Sequence, residues 1–509
     1  MRAGAAWLLA AAAALLSASQ PAGHRARAAE TPHLRPSFHF TPPRHFMNDP
    51  NGLVFLDGEY HLFYQHNPQG DRWGHMSWGH AVSRDLLQWE HLPLALAEED
   101  GIMIFSGSAV VDAADTSGLC GGAGASCLVA IYTGHGHDKQ TQHLAVSRDR
   151  GRTWRKHAGN PVLDLGRDDH RDPKVFWHEP SRRWIMVSVL AGERKVRFFS
   201  SPDLKRWETL SDFGPAGATG GAWECPDLFP LPVDGDPAVI RWVLGVDLNP
   251  GGRLGGSGAQ YFVGTFDGRR FVSDDPPDRT HWVDYGRDFY ASQSYSDLPA
   301  SDGRRVWIGW MSNWIYADEE PTSPWRGVQS LPRELGLTRT PDGIRLVQRP
   351  VRELASVRGE TREVRGREAL SGAAEIRLEL PAGGWQVAGF RLSNDGGEEV
   401  TVGVSAQPLE MFVDRRRSRG TAFHDAYPER HAAPLRRTTG VITLQTIVDR
   451  TTLEVFANGG EAVISDRLFP TRPLDRLEPL QDETGAASRL TRRDLTPRPS
   501  KRAAAGDER

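Results

Sequence analysis

Short apolar runs bounded by turn residues recur between residues 36 and 340 of this 509-residue chain. Residues 60–64 and 184–189 are examples, with Gly, Asp or Asn close to their ends. Runs of this length and setting are typical of β-strands. From about residue 359 polar and apolar positions alternate, as at residues 374–380, 399–404 and 441–448. Such alternation predicts antiparallel strands with one buried face, and therefore a β-sandwich.

A repeated turn divides the first region. A Ser-x-Asp sequence precedes a Trp by a few residues three times, with the aspartates at Asp85, Asp149 and Asp203 and the tryptophans at 89, 154 and 207. A period of this size, with several short strands in each unit, is typical of propeller blades. We assign the turn a structural role, because Ser and Asp bond the local backbone and Trp fills the space between strands.

A second repeat places similar segments near residues 49, 106, 172, 224 and 288, and it predicts five blades. Three of these segments put an acid just before Pro and an apolar strand. Equivalent positions on the innermost strands of a propeller converge on one end of its central channel. The spacing therefore predicts that Asp49, Asp172 and Glu224 meet in one funnel. The predicted fold is all-β: a five-bladed β-propeller followed by a C-terminal β-sandwich.

The ends of the chain differ from the rest. Residues 1–28 combine Arg2, an apolar run at 5–18 and an Ala-Arg-Ala site at 26–28, which is typical of a secretory signal peptide. An uncleaved anchor is the weaker alternative. We predict a secreted protein with a propeller at 33–340, a linker at 341–358, a sandwich at 359–480 and a disordered tail at 481–509. Twelve charged residues among the last 29 suggest that the final sandwich strands are missing or altered.

Composition excludes several classes of protein. With 39% hydrophobic and 25% charged residues, the chain is neither disordered nor a polytopic membrane protein. The net charge of -4 gives no basic surface, so neither nucleic acid nor a membrane is an expected partner. The 16 tryptophans favour a β-rich core or a carbohydrate cleft. The oligomeric state stays open.

Three cysteines fit an exported protein that does not depend on disulfides. Cys120 and Cys127 flank a glycine-rich loop that a disulfide bond could close in an oxidising compartment. A metal clip at this loop lacks further ligands at suitable spacing. Cys225 is expected to be unpaired and buried.

Taken singly, each candidate acid has an ordinary explanation. Asp49 suits a turn, Asp172 could pair with Arg171, and Glu224 could lie on the surface. Together, at equivalent blade positions and near several tryptophans, they favour a sugar site. Hydrolysis of a glycosidic bond needs one carboxylate that attacks or activates water and a second, protonated one that assists the leaving group. This chemistry requires no metal and no organic cofactor.

The histidines give no better metal site. His66, His75 and His80 are close in sequence, but alternation along a strand would send their side chains in different directions. Structural or sugar-binding roles therefore outweigh a zinc site.

An ordered series of motifs resembles glycoside hydrolase family 32, which includes invertases, exo-inulinases and levanases. The resemblance covers about residues 33–473. The motifs are F-M-N-D-P-N-G at 46–52, F-Y-Q-H-N-P at 63–68, F-S-G-S at 105–108, R-D-P at 171–173, W-E-C-P-D at 223–227, G-W-M-S-N-W at 309–314 and L-P-R-E-L at 331–335. Phe46 stands where the family usually has Trp.

The resemblance implies a role for each acid. Asp49 would be the nucleophile, Glu224 the acid/base, and Asp172 the stabiliser of the transition state. The residues that the resemblance places around the first sugar are Asn48, Gln65, Trp73, Phe105, Ser106, Arg171 and Trp314.

Within the family, the segments at 288–291 and 313–326 look most similar to those of levanases and exo-inulinases, which remove terminal β-D-fructosyl units from levan, inulin and sucrose. A sucrose-preferring invertase and an endo-acting levanase or inulinase remain alternatives. Two other classes are open: a sialidase, whose structural turn motif fits residues 147–154, and a non-catalytic fructan-binding propeller. A sialidase, however, needs three arginines around a carboxylate and a Tyr nucleophile, and the turn motif is a scaffold device only. A non-catalytic module would lose one or more of the acids, whereas all three are present here.

Overall fold

The computed structural model describes residues 31–122, 124–381, 383–418, 423–436, 440–480 and 488–497. The predicted signal peptide at 1–28 lies outside the described residues. Within these ranges regular structure is almost entirely β-strand, and no helix is long and apolar enough to cross a bilayer. The short 3-10 helices in the described ranges are Pro32–Leu34, Glu179–Ser181, Ala317–Glu319 and Arg352–Val357.

Antiparallel sheets form the first three blades. Strands β1 to β4 of blade one are His45–Leu56, Glu59–Asn67, Ser77–Ser83 and Glu90–Leu96. Strands β5 to β8 of blade two are Met103–Asp112, Cys127–His135, Gln140–Ser147 and Arg155–Lys156. Strands β9 to β12 of blade three are His170–His178, Arg183–Leu190, Lys195–Ser201 and Glu208–Phe213.

Blades four and five share one sheet, because β13 and β21 pair in parallel at Val233 and Leu337. Strands β13 to β17 of blade four are Ala222–Val233, Asp236–Asn249, Gly258–Phe266, Phe271–Ser273 and His281–Trp282. Strands β18 to β22 are Tyr290–Ser294, Arg305–Trp310, Trp325–Arg326, Arg333–Thr340 and Gly343–Pro350. The short β20 joins β1 of blade one rather than blade five.

The predicted linker at 341–358 is wrong in its first half. Residues 343–350 form β22, which pairs with β21 over its whole length. Pro341 and Asp342 form the two-residue turn between the paired residues Thr340 and Gly343. Leu346 and Val347 of β22 are buried. The propeller therefore extends to about residue 350, and the 3-10 helix Arg352–Val357 follows.

The repeated Ser-Asp-Trp turns are structural, as predicted. In blade one, Asp85 accepts hydrogen bonds from the Ser83 hydroxyl and from the backbone N–H of Leu87. The same Ser–Asp bond forms in the turns around Asp149 and Asp203. The tryptophans at 89, 154 and 207 are partly buried, and each packs against a core cluster of its region.

Two six-stranded sheets form the C-terminal β-sandwich. Strands β23 to β28 are Arg362–Glu363, Glu368–Ala369, Ala373–Leu380, Val387–Ser393, Glu399–Ala406 and Leu409–Arg417. Strands β29 to β34 are Arg430–Pro434, Ile442–Asp449, Thr452–Ala457, Ala462–Arg467, Arg476–Pro479 and Arg489–Leu495. The sheet orders are β23-β34-β25-β30-β31-β32 and β24-β33-β26-β27-β28-β29, with one apolar core between them. The predicted all-β fold with a five-bladed propeller and a sandwich is confirmed.

The predicted disordered tail is wrong for residues 489–495. This segment is β34, which lies between β23 and β25, with Leu490 and Leu495 buried. Its arginines pair with acids of both sheets: Arg493 with Glu375 of the adjacent β25 at 3.7 Å, and Arg492 with Glu368 of β24 in the other sheet at 3.3 Å. The high charge of the segment does not indicate disorder, because acids that are distant in sequence neutralise it in the folded chain. Residues 481–487 and 498–509 lie outside the described ranges.

Buried ion pairs connect the propeller to the sandwich. The central one joins Arg333 of β21 to Glu454 of β31, and both side chains are fully buried. Further pairs across the same junction are Arg415–Asp288, Arg467–Glu320, His39–Asp449 and His39–Glu454. The sandwich therefore braces strands and loops that belong to the propeller.

Candidate active site

The innermost strand of every blade carries an irregularity at an equivalent place. The pairing register shifts at residues 47–50 of β1, 104–107 of β5, 171–174 of β9, 224–227 of β13 and 290–293 of β18. A β-bulge bends its strand and re-aims a side chain. Five bulges around one axis thus turn side chains towards the same end of the channel.

Left-handed backbone conformations accompany three of the bulges. Asp172 has φ 62°, Cys225 has φ 46° and Ala291 has φ 53°. Non-glycine residues adopt this conformation at a cost, and such residues cluster at functional sites. Ala291 belongs to blade five, where the structure differs from the predicted repeat. Tyr290 lies at the bulge of this blade. Asp288, which the repeat indicated, instead pairs with Arg415 of the sandwich at 2.6 Å.

A cavity of about 360 Å³ opens at this end of the propeller. All ten residues that the sequence indicated for the acids and the sugar site line it. Two further lining residues, Asn249 and Asp318, were missed. The full lining is Asn48, Asp49, Gln65, Trp73, Phe105, Ser106, Arg171, Asp172, Glu224, Asn249, Trp314 and Asp318.

Asp49 lies at the bottom of the cavity, where it is 8% exposed. Its carboxylate accepts hydrogen bonds from the Ser106 hydroxyl at 2.7 Å and from the Asn48 amide at 3.0 Å, and the Cys225 thiol donates at 3.5 Å. Burial raises the pKa of Asp49 to about 6, with the Ser106 hydrogen bond opposing the rise and the charge of Glu224 adding to it. These donors fix the orientation of the carboxylate.

Asp172 is the second buried acid, on β9. Its carboxylate accepts a hydrogen bond from the backbone N–H of Cys225 at 2.9 Å, and its own N–H donates to Thr133 at 3.0 Å. Burial raises the pKa of Asp172 to about 7; the guanidinium of Arg171 opposes this rise and the charge of Glu224 adds to it. The backbone of β13 therefore positions an acid of β9.

Glu224 is the most accessible of the three acids, with 21% of its side chain exposed. Arg171 donates to its Oε1 at 2.8 Å, and the Tyr290 hydroxyl donates to its Oε2. Arg171 also lies 3.8 Å from Asp172. One guanidinium thus holds two acids from different blades, and blade five contributes through Tyr290.

Aromatic rings form the upper part of the cavity. Trp73 is 42% exposed and meets Phe105 edge-on at 6.0 Å. Trp314 stacks on Phe46 at 6.2 Å. Phe46, the departure from the family motif, is fully buried behind Trp314, so the smaller ring changes the support of the cavity wall and not its lining. Below the rings, the Gln65 amide is held by hydrogen bonds to Asn51 and to the backbone of residue 104.

A fourth acid lies behind the cavity and was missed in the sequence. Asp247 on β14 stands opposite Glu224 in the strand register and is 2% exposed. Its Oδ2 has no hydrogen-bond partner among the described residues. Burial, and then the charges of Asp49, Glu224 and Asp172, raise the pKa of Asp247 well above its ordinary value. Only strand pairing reveals this neighbour, because no motif surrounds it.

The cysteines divide between two environments. Cys120 and Cys127 are joined by a disulfide bond that closes the glycine-rich loop of blade two. Cys225 is free and buried, as the sequence indicated, and it lies between Asp49 and Asp172. Burial raises the pKa of its thiol, so Cys225 stays a neutral donor at ordinary pH.

A propeller that directs three acids and several aromatic rings into one cavity has the side chains that hydrolysis of a glycosidic bond needs, and its class is therefore that of the glycosidases. Comparison with known proteins agrees. Residues 39–350 match the model of the glycosyl hydrolases family 32 N-terminal domain, and residues 348–494 match that of the family 32 C-terminal domain. This chain belongs to glycosyl hydrolase family 32, and it is a glycosidase.

Individual relatives support this assignment. The chain is 47% identical to a levanase of Bacillus subtilis over 460 residues, covering 87% of this chain and 68% of the levanase. It is 37% identical to an extracellular exo-inulinase of Aspergillus awamori, covering 91% and 94% of the two chains. The crystal structure of an exo-inulinase from Aspergillus awamori superposes with a TM-score of 0.86 at 35% identity, covering 91% and 98%.

Proposed function

We propose that this chain is a secreted, retaining β-fructosidase that removes terminal non-reducing β-D-fructosyl units from levan, inulin and sucrose. The observation that carries the proposal is the convergence of Asp49, Asp172 and Glu224 on one cavity. The similarity to a levanase and an exo-inulinase supports fructans as substrates.

The contacts of each acid support a two-step reaction. Asp49 attacks the anomeric carbon as the bond to the leaving oxygen breaks, and Glu224 gives that oxygen its proton. Glu224 then takes a proton from water, whose oxygen displaces Asp49 from the sugar. Asp172 accepts hydrogen bonds from ring hydroxyls and stabilises the positive charge that develops on the ring.

The depth of the cavity supports action at chain ends. Asp49 and Asp172 are 8% and 3% exposed, whereas Trp73 at the rim is 42% exposed. A volume of about 360 Å³ is at the small end of the ~300–1,000 Å³ typical of ligand pockets. A site that is closed below and small in volume suits one terminal sugar and part of the next.

Product analysis tests the proposal directly. Purified protein is incubated separately with levan, inulin and sucrose, and early products are chromatographed. We expect fructose as the only product from both polymers. Oligosaccharides would instead mean endo action, a strong preference for sucrose would mean an invertase, and binding without turnover would mean a non-catalytic module.

Variants connect the activity to the site. Asp49→Asn should abolish turnover, and Glu224→Gln should lower kcat by about 10²–10⁴-fold because the general acid is lost. Glu208→Gln removes an exposed acid on the outer strand β12 and serves as the matched control. Full activity in Asp49→Asn would contradict the assignment.

Stereochemistry and export need separate tests. With methanol as a competing nucleophile, a retaining enzyme forms methyl β-D-fructofuranoside, and the α-anomer would contradict the proposed mechanism. Export with cleavage after residue 28 predicts a mature protein that begins at Ala29, which N-terminal sequencing of the secreted protein checks.

A further inference from the structure

Asp318 lies at the rim of the cavity in the 3-10 helix Ala317–Glu319. It falls inside the segment 313–326, but the sequence indicated no role of its own for it. Its Oδ1 accepts a hydrogen bond from the backbone N–H of Trp73 at 3.0 Å. Within the described ranges its Oδ2 has no hydrogen-bond partner. One oxygen is therefore used by the protein, while the other is available to a ligand.

The position of Asp318 is fixed by its surroundings. Arg326 is 9% exposed and donates one Nη1 to the carbonyl oxygens of both Asp71 and Asp318, each at 2.6 Å. Its Nε donates to the carbonyl oxygen of Glu320 at 3.1 Å, and the Glu320 side chain pairs with Arg467 of the sandwich. The two loops that carry Trp73 and Asp318 are thus tied into one rigid unit.

Exposure along the cavity shows which part of a substrate this unit faces. Asp49 at the bottom is 8% exposed, the Glu224 side chain is 21% exposed, and Trp73 is 42% exposed. If Glu224 protonates the oxygen of the bond that breaks, the sugar on the inner side is the one retained. The unit of Trp73 and Asp318 then faces the sugar that leaves, so Trp73 lies on the leaving side of the site and not, as the resemblance implied, around the first sugar.

We propose that Asp318 is a specificity-determining residue that accepts a hydrogen bond from a hydroxyl group of the leaving sugar, beside the ring of Trp73. This inference rests on the proposed function. The ligand class is a neutral sugar with hydroxyl groups on the leaving side. A carboxylate oxygen is a strong acceptor for such a hydroxyl, and an aromatic ring packs against the apolar face of the sugar.

Substrates with and without a leaving sugar separate the inference from a general loss of activity. Sucrose, inulobiose and levanbiose release a sugar, whereas methyl β-D-fructofuranoside releases methanol. Asp318→Asn is the informative variant, because its amide oxygen can still accept the N–H of Trp73 while an amide NH₂ replaces the free oxygen. Glu319→Gln removes an exposed charge from the same helix and is the control.

We expect Asp318→Asn to lower kcat/KM by about 10-fold or more for at least one disaccharide, the effect of losing one charge-assisted hydrogen bond. Its kcat/KM for methyl β-D-fructofuranoside should stay within about 2-fold of the wild type, and this rate also reports intact folding. Equal losses on both classes of substrate, or no loss on any, would overturn the inference. Failure of the wild type to act on all four fructosides would overturn the proposed function instead.

Discussion

The buried arginine at the junction of the two domains offers a quantitative test of the structure. The Arg333 guanidinium is fully buried and donates to Glu454 at 2.5 Å, to Gln348 at 2.9 Å and to Asp284 at 3.2 Å. A fourth acceptor is the Ser465 hydroxyl at 2.6 Å. Glu454 and Ser465 belong to the sandwich, while Gln348 and Asp284 belong to the propeller. Replacing Arg333 by Met keeps much of the volume and removes every donor.

The pKa of Glu454 gives the expected magnitude. Burial by itself would raise this pKa, but the charge of Arg333 and the hydrogen bond from His39 lower it from an ordinary 4.5 to about 2. A difference of one pKa unit corresponds to about 1.36 kcal/mol, so the surroundings favour the carboxylate by about 3 kcal/mol. Removing one partner of a buried pair costs about 3–5 kcal/mol in other proteins. We therefore expect Arg333→Met to lower the free energy of unfolding by about 3 kcal/mol.

The pH dependence of the stability difference follows from the direction in which the pKa of Glu454 is shifted. A carboxyl group with a lowered pKa stabilises the folded state above its ordinary pKa, and the stabilisation is lost as the pH falls through the folded-state value. The difference between wild type and Arg333→Met should thus be full at pH 7 and shrink between about pH 4.5 and pH 2.

Guanidinium unfolding at pH 7, followed by tryptophan fluorescence, measures the effect. Arg339→Met is the matched control, since Arg339 lies on the same strand in an exposed pair with Asp234 at 2.6 Å, where about 0–1 kcal/mol is expected. The double variant Arg333→Met/Glu454→Gln should recover part of the loss, because Glu454 no longer carries a buried charge without its arginine. Recovery stays incomplete, since Asp284 also loses Arg333. A loss below about 1 kcal/mol, or strictly additive effects, would refute the reasoning.

Three further predictions concern the acids of the cavity. Tyr290→Phe removes a hydrogen bond to Glu224, and kcat/KM should fall about 10-fold or more with unchanged circular dichroism; wild-type kinetics would contradict this role. Because Asp49 must be ionised to attack, its raised pKa predicts that kcat/KM falls as the pH drops below about 6, and a constant rate down to pH 4 would contradict it. Burial raises the pKa of Asp247, so keeping this group buried costs the folded state more stability as the pH rises. Asp247→Asn removes that cost and should therefore raise Tm more at pH 8 than at pH 5. A lower Tm at pH 8 would contradict the assignment.

Much of the architecture follows from local patterns. Strand runs, turn residues and the repeat spacing are properties of neighbouring residues, so they predicted five blades and a sandwich. The two wrong predictions, for part of the linker and for part of the tail, have one cause. Whether residues 343–350 and 489–495 form strands depends on the strands beside them, and β21 and β25 supply pairing partners that lie outside any local window.

For the site, too, local patterns predicted some features and contacts between distant residues decided the others. Repeat spacing predicted the convergence of Asp49, Asp172 and Glu224, because each acid occupies the same place in its blade. In blade five the repeat predicted the equivalent position near residue 288, whereas the bulge of β18 begins at Tyr290, two residues later. Asp247 and Asp318 reach the site through strand pairing and a loop contact, and the local sequence around either residue does not show that contact.

The sequence by itself therefore determined the fold class, the number of blades and the acids that meet in the cavity, because periodic patterns and short motifs are written along the chain. The tertiary structure alone decided how those acids are held: by Arg171 between two blades, by Tyr290 of a third, and by a sandwich that braces the loops of the rim. Hydrogen bonds and burial depend on distances in space. Those distances are set only when the blades close into a ring.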